Sequence, residues 1–306
     1  MDKPRLDCAG PRGVPSGRMD SPAFALLEDR TVWTRSWVCV GATHAIPNAG
    51  DLLPYTVGNQ GIHVERLAGG GLAARFNKAP HGGCRFVPVQ CQTGTKTKCS
   101  FTSCGHSRDR GVLKASDEAA SHQYLGLRPE RLVTVPVVEL APLLFVHLGD
   151  RADDMPPLLV DHPALRTSPA APECWQEYHA NWKTLGRSLA AGSPLPQTGR
   201  WLATEIAMPN GRASECRWLF PNLILFLRAQ SACAIVMQPT ALGQTLLRIT
   251  QFGDPVPWLK MISARSRAAE ITAAAPGDPV DLFLRRALSE HLGGAYETGE
   301  EMMYHA

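Results

Sequence analysis

The chain has 306 residues, 44% of them hydrophobic and 19% charged, with a formal net charge of +3 at pH 7. This excludes a disordered or fibrous protein and leaves room for one large domain or two of ordinary size. A charge so near neutrality gives no basis for nucleic-acid binding or membrane adhesion, and the longest apolar stretch, Leu219 to Leu227, is interrupted by Pro221-Asn222 and is too short to span a bilayer.

In chain order, residues 1–20 are rich in Gly, Pro, Arg and Asp and read as a flexible tail. The opening Met1-Asp2-Lys3-Pro4-Arg5 lacks the apolar core of a signal peptide, so a cytoplasmic location is expected. Ser21-Pro22 supplies an N-cap and first-turn proline, and Phe24, Leu27, Val32 and Trp33 recur at helical spacing. Strand-like runs follow at Trp37–Gly41, Leu53–Val57, Ile62–Leu67 and Leu72–Asn77, and Gly69-Gly70-Gly71 predicts a hairpin between the last two. Two more runs, Leu132–Val138 and Leu143–Leu148, complete a small all-β unit over residues 21–150.

Arg151–Pro172 is dense in Pro and Asp and reads as a linker or crossover. Beyond it lie strand-like runs at Trp218–Arg228, Cys233–Gln238 and Thr245–Phe252, then a helix over Val280–Leu292 with apolar residues at 282, 283, 287 and 288. The apolar runs Trp218–Leu227 and Ala232–Gln238 suit either core or the floor of an apolar cavity. Residues 151–306 therefore read as an α+β unit.

Nine cysteines make an odd count, and Cys84, Cys91, Cys99 and Cys104 fall within one short stretch beside His81 and His106. In a reducing compartment such a cluster points to metal more often than to disulfides. His81, Cys84, Cys99, Cys104 and His106 could hold zinc or a non-standard iron site. They could equally be free thiols and ordinary histidines with no cofactor at all. Cys8, Cys39, Cys174, Cys216 and Cys233 are scattered and read as small buried hydrophobes.

His179, next to Asn181, could ligate a metal with Glu177 or Glu205, or serve as an ordinary core or interface histidine. Ser188 and Ser193 have no G-x-S-x-G context for nucleophilic catalysis. Gly69-Gly70-Gly71 lacks the Lys and the strand–helix setting of a phosphate loop.

The order of several short pieces resembles the α-subunit of the Rieske non-haem iron oxygenases. They are Trp37-Val38-Cys39-Val40-Gly41, Pro47, Gly50-Asp51, Val64-Glu65-Arg66, Ala74-Arg75-Phe76-Asn77, His81-Gly82-Gly83, Asn181-Trp182-Lys183 and Trp218-Leu219-Phe220-Pro221-Asn222. The resemblance implies a Rieske-like all-β domain at 21–150. A catalytic-type α+β domain would follow at 151–306, with an antiparallel sheet flanked by helices. It also implies a [2Fe–2S] cluster on C-x-H and C-x-x-H loops and a catalytic iron on a 2-His-1-carboxylate triad.

The residues depart from that pattern at most of the expected ligand positions. The first loop reads Ala79-Pro80-His81 and the second Cys99-Ser100-Phe101-Thr102, so only His81 and Cys99 remain. Cys84 stands where respiratory-type Rieske proteins keep a cysteine for a disulfide between the loops, so the resemblance also allows a Cys84–Cys104 bridge in place of the cluster. Counting from Asn181, the positions that would carry Asn, the bridging acid and the two histidines are Ser188, Ala191, Pro194 and Gly199. The late-helix carboxylates available as the third ligand are Asp278 and Asp281. Pro194 and Pro196 should also end the ligand helix early.

Two functions follow as expectations. One is a non-catalytic structural or regulatory subunit, homo- or hetero-oligomeric, paired with an intact Rieske oxygenase subunit. The other is an active oxygenase that hydroxylates an apolar small molecule through unconventional metal ligands. Neither involves nucleic acid or a membrane.

Overall fold

A computed structural model of the chain describes residues 19–76, 132–149, 161–196, 201–271 and 277–292, apart from positions 141, 168, 170, 209, 210 and 212. The first helix, α1 (Pro22–Arg35), starts as the sequence predicts, with the Ser21 side chain accepting from Phe24 N at 3.2 Å and a proline in the first turn. Seven strands follow: β1 (Trp37–Ala42), β2 (Leu52–Val57), β3 (Gln60–Arg66), β4 (Leu72–Phe76), β5 (Thr134–Val135), β6 (Val137–Leu140) and β7 (Leu143–His147). They form two antiparallel sheets, ordered β1-β7-β6 and β2-β3-β4-β5. The Gly69-Gly70-Gly71 turn does close the β3–β4 hairpin, with Gly70 at φ +80°.

The run read as one strand over Leu132–Val138 is divided at Pro136, which has no N–H for a ladder, and its halves enter different sheets. The carbonyl of Pro136 still accepts from His147 N at 3.1 Å.

The second half of the chain is built on one seven-stranded antiparallel sheet. Its members are β8 (Cys174–Tyr178), β9 (Ser193–Pro194), β10 (Trp201–Ala207), β11 (Ala213–Leu219), β12 (Leu223–Arg228), β13 (Ser231–Ala241) and β14 (Gln244–Gly253). Their spatial order is β8-β14-β13-β12-β11-β10-β9. Three helices pack with it: α2 (Trp182–Ala190), α3 (Trp258–Ile271) and α4 (Pro279–Leu292). The fold is thus α+β, as expected.

Two expectations change in detail. Trp218–Arg228 is not one strand but the β11–β12 hairpin, because Pro221-Asn222 makes its turn. Helix α4 buries Val280, Leu284, Ala287, Leu288 and Leu292, whereas Leu282 is 58% exposed. Helix α3 was not foreseen, since Lys260, Arg265 and Arg267 dilute its stripe of Trp258, Met261, Ile262 and Ala269. Cys39, Cys216 and Cys233 are buried, as expected for small hydrophobes, while Cys174 is only half-buried. Burial pushes the Cys39 and Cys216 thiols up to about 12, so neither is a thiolate near neutrality. Among the described residues no helix is long and apolar enough to cross a membrane.

Three buried polar contacts tie the N-terminal elements to the second half of the chain. Asn222 accepts from Cys39 N at 3.0 Å and donates to Cys39 O at 2.8 Å and to the Tyr55 hydroxyl at 3.1 Å. The Arg248 guanidinium lies 4.8 Å from the ring centroids of both Tyr55 and Trp175 and donates to Gln238 Oε1 at 3.0 Å. The third contact joins α1 to α2. Lys183 Nζ donates to Glu28 Oε1 at 2.9 Å and to Oε2 at 3.1 Å, with both side chains almost wholly buried. The ammonium also sits 5.2 Å from the Trp182 ring and 5.4 Å from Phe24, and Trp182 meets Trp33 edge-on at 5.3 Å.

Burial pushes the Glu28 carboxyl from 4.5 up to about 7, against the opposing pull of Lys183. The folded state therefore holds a proton that the unfolded chain releases between those values. This contribution is complete below about 4.5 and is lost as pH rises through about 7. Thermal melts from about pH 5 to pH 8 should show wild type losing stability relative to Glu28→Gln as pH rises; a constant difference would contradict it. Lys183→Met strands the buried carboxylate and should cost roughly 3–5 kcal/mol at pH 8. The Glu28→Gln/Lys183→Met double variant should cost less than the sum of the single changes in denaturant unfolding.

Candidate functional site

Helix α2 leads into the positions at which the resemblance places iron ligands, so where it ends decides what the site can hold. It starts at the N-cap Asn181, whose side chain accepts from Lys183 N at 3.0 Å and donates to Leu242 O at 2.7 Å. Its apolar face, Trp182, Leu185, Leu189 and Ala190, is fully buried. Gly186 faces the Trp218 indole so closely that an added Cβ would lie 2.5 Å from ring carbons. Trp218 also donates from Nε1 to Pro221 O at 3.0 Å and packs at 5.7 Å, tilted by 57°, against Phe283 of α4. A large indole thus fills the space between α2 and α4, and the apolar β runs beside it are core.

The helix ends at Ala190. Its last carbonyls are occupied: Thr204 Oγ1 donates to Ala190 O at 2.8 Å, and one Arg265 nitrogen reaches Ser188 O and Leu189 O at 3.2 Å and Ala191 O at 2.6 Å. A guanidinium at a helix C-terminus satisfies orphan acceptors and complements the dipole. Burial lowers the Arg265 pKa from its ordinary value.

The positions that would carry Asn, the bridging acid and the first histidine lie within the described residues, and each has another setting. The Ser188 hydroxyl donates to Arg265 O at 2.7 Å. Ala191 is exposed just past the helix end. Pro194 lies on the exposed edge strand β9, opposite Thr204. Gly192 lets that strand leave the helix, since a Cβ there would meet Glu205 O at 2.3 Å. Gly199 lies outside the described residues.

The late-helix carboxylates are engaged as well. Asp278 caps α4, accepting from Asp281 N at 2.6 Å. Asp281, 1% exposed in its side chain, accepts from Arg285 Nε at 2.8 Å and from Gly277 N at 2.9 Å, and its other oxygen lies 3.4 Å from Arg187 Nη1 on α2. Burial opposes ionisation of Asp281, but the bonds from Arg285 and Gly277 and the Arg187 charge together hold its carboxyl below the usual range.

A mononuclear iron needs at least two imidazoles beside a carboxylate here. The residues present offer a hydroxyl, a methyl, a proline ring and two carboxylates, Asp278 on the Asp281 backbone and Asp281 between two arginines. They do not fit the metal.

His81, Cys84, Cys99, Cys104 and His106, with Cys91, Ala79 and Thr102, lie outside the described residues. For the cluster loops the chemistry of the donors is what can be weighed. Alanine offers no lone pair, and a threonine hydroxyl is a poor ligand for cluster iron. His179 and Glu205 do not come together. β8 and β10 are separated by β14, β13, β12 and β11, about 24 Å at ordinary strand spacing. His179 is exposed, with its N–H donating to Glu270 Oε1 at 2.8 Å, and Glu177 accepts from Thr240 Oγ1 at 3.2 Å. Among the described residues no group of three or more His, Cys, Asp or Glu is placed to hold a metal ion.

Sequence reasoning missed Arg187, Arg265 and Arg285. Only the Asp281–Arg285 pair, four residues apart on one helix, had a local signature.

Comparison with known proteins agrees with the fold. No family model matches the chain. It is 25% identical over 216 residues to the glycine betaine monooxygenase oxygenase subunit of Chromohalobacter salexigens, covering 70% of this chain and 44% of that protein. It is 27% identical over 167 residues to the N,N-dimethyl phenylurea N-demethylase subunit alpha of Sphingobium sp., covering 50% and 36%. The matched part of the chain spans less than half the length of either relative. Among solved structures, the quaternary ammonium Rieske monooxygenase CntA with gamma-butyrobetaine superposes with a TM-score of 0.56 at 16% identity, covering 93% of this chain and 86% of that one. By sequence the chain is thus related to these oxygenase and demethylase subunits, and its fold is that of a Rieske oxygenase.

Proposed function

We propose that the chain is a non-catalytic structural or regulatory subunit of an oxygenase complex, acting in the cytoplasm. Its Rieske-like domain would run to about residue 150 and its catalytic-type domain from there onward. The observation that carries this reading is the end of α2 at Ala190. From that point the backbone turns into an edge strand, so Pro194 lies on the protein surface rather than on the ligand helix. Helix ends, cap and strand pairing all oppose an imidazole pair at this place, and the Ser188 hydroxyl is spent on the Arg265 carbonyl.

What such a chain retains is the scaffold. Its relatives are named as subunits, and the structure of one quaternary ammonium Rieske monooxygenase of this fold bears on inter-subunit electron transfer. A copy without ligands can occupy a place in such an assembly while contributing no redox centre of its own. The competing reading, an active oxygenase with unconventional ligands, is supported by the density of donors at His81, Cys84, Cys99, Cys104 and His106.

The test is co-expression with an intact Rieske oxygenase α-subunit from the same source. The proposal expects a stable mixed oligomer on size exclusion, with turnover only when the intact subunit is present and none from this chain with reductase alone. Turnover by this chain alone, abolished by His81→Ala or Cys99→Ala, would overturn it in favour of the competing reading.

A further inference from the structure

The ligand helix and the late helix still meet, but through side chains of a different kind. Asp281 is a carboxylate removed almost completely from water, and such a group needs a cation close by or it protonates. Despite burial, hydrogen bonds from Arg285 and Gly277, with the charges of Arg187 and Arg285, hold its pKa below the usual range. The two guanidinium groups come from different helices. Arg285 belongs to α4 and bonds within its own helix, while Arg187 comes from α2 and spans the gap, lying 3.4 Å from Asp281 and 3.9 Å from Asp278. Arg187 is itself 11% exposed, so the contact is a largely dry one.

We infer that Arg187 stands in for the missing metal, as the cation that clamps α2 to the buried Asp281 carboxylate of α4. This inference rests on the non-catalytic reading of the site. It explains two features together: why an aspartate remains buried on α4 where no iron ligands accompany it, and why an arginine sits on the helix that lacks them. A divalent cation and a guanidinium answer the same electrostatic need, but a guanidinium fills the space and offers no open coordination position. The clamp therefore keeps the helix pair together and closes the carboxylate to metal. Arg265, reaching across from α3 to the carbonyls at the end of α2, fixes the helix at its other side.

A double-mutant cycle on the full chain tests this, read as melting temperature, with Arg187→Met, Asp281→Asn and the pair together. Arg187→Met should lower the melting temperature by about 4–8 °C, and the pair should lower it by clearly less than the sum of the single shifts. Arg187→Lys, which keeps the charge and perturbs folding least, should retain part of the stability. Added manganese(II) chloride should leave the wild-type melting temperature unchanged, because two guanidinium groups already neutralise the carboxylate. Additive shifts in the cycle, or a manganese-dependent rise in wild type, would overturn the clamp. The first of these would leave the non-catalytic reading standing, since it concerns only how the helices are held, whereas the second would count against both.

Discussion

A single buried ion pair sets the position of everything at the candidate site. Lys183, in the first turn of α2, is driven under α1 between Phe24 and Trp182, where its ammonium meets both oxygens of Glu28. Neither charge has water to fall back on, so each depends on the other. The consequence is directional: α2 enters the molecule with its N-terminus pinned to the N-terminal helix and its apolar face on the sheet. Asn222 with Cys39, and Arg248 between Tyr55 and Trp175, hold the same two halves of the chain together elsewhere.

From that anchored start, the helix has a fixed length and a fixed end. Gly186 admits Trp218 against the helix, and the indole then fills the space toward Phe283 on α4. Arg265 and Thr204 take the final carbonyls, and the chain leaves along β9. These are not isolated substitutions in an otherwise open pocket. A hydroxyl bonded to a carbonyl, a proline on an edge strand and an aspartate between two arginines each have a place in the local structure. Putting imidazoles at two positions would not recreate a metal site without also extending the helix and removing the arginines.

Much of this was legible in the sequence, for reasons that can be stated residue by residue. Ser21-Pro22 announced α1, the triple glycine announced the β3–β4 turn, and the prolines at 194 and 196 announced an early end to α2, because each of these acts through local backbone chemistry. The ion pairs were not legible. Lys183 and Glu28 are separated by more than 150 residues, and Arg187 and Asp281 by more than 90, so no periodicity connects them. A lone arginine in a helix reads as a solvated charge until the opposing helix is in place. Helix α3 was hidden for the same reason, its short apolar stripe being diluted by Lys260, Arg265 and Arg267. The split of Trp218–Arg228 into a hairpin was within reach, since Pro221-Asn222 is itself a turn signal inside the apolar run.

The central claim is that the scaffold of an iron oxygenase has been kept without its iron. Elemental analysis of freshly purified protein, prepared anaerobically with iron and sulfide in the growth medium, tests it most directly. The account predicts iron and acid-labile sulfide far below one equivalent per chain and a colourless solution. Three iron atoms and two sulfides per chain, the content of one [2Fe–2S] cluster and one mononuclear iron, would contradict it.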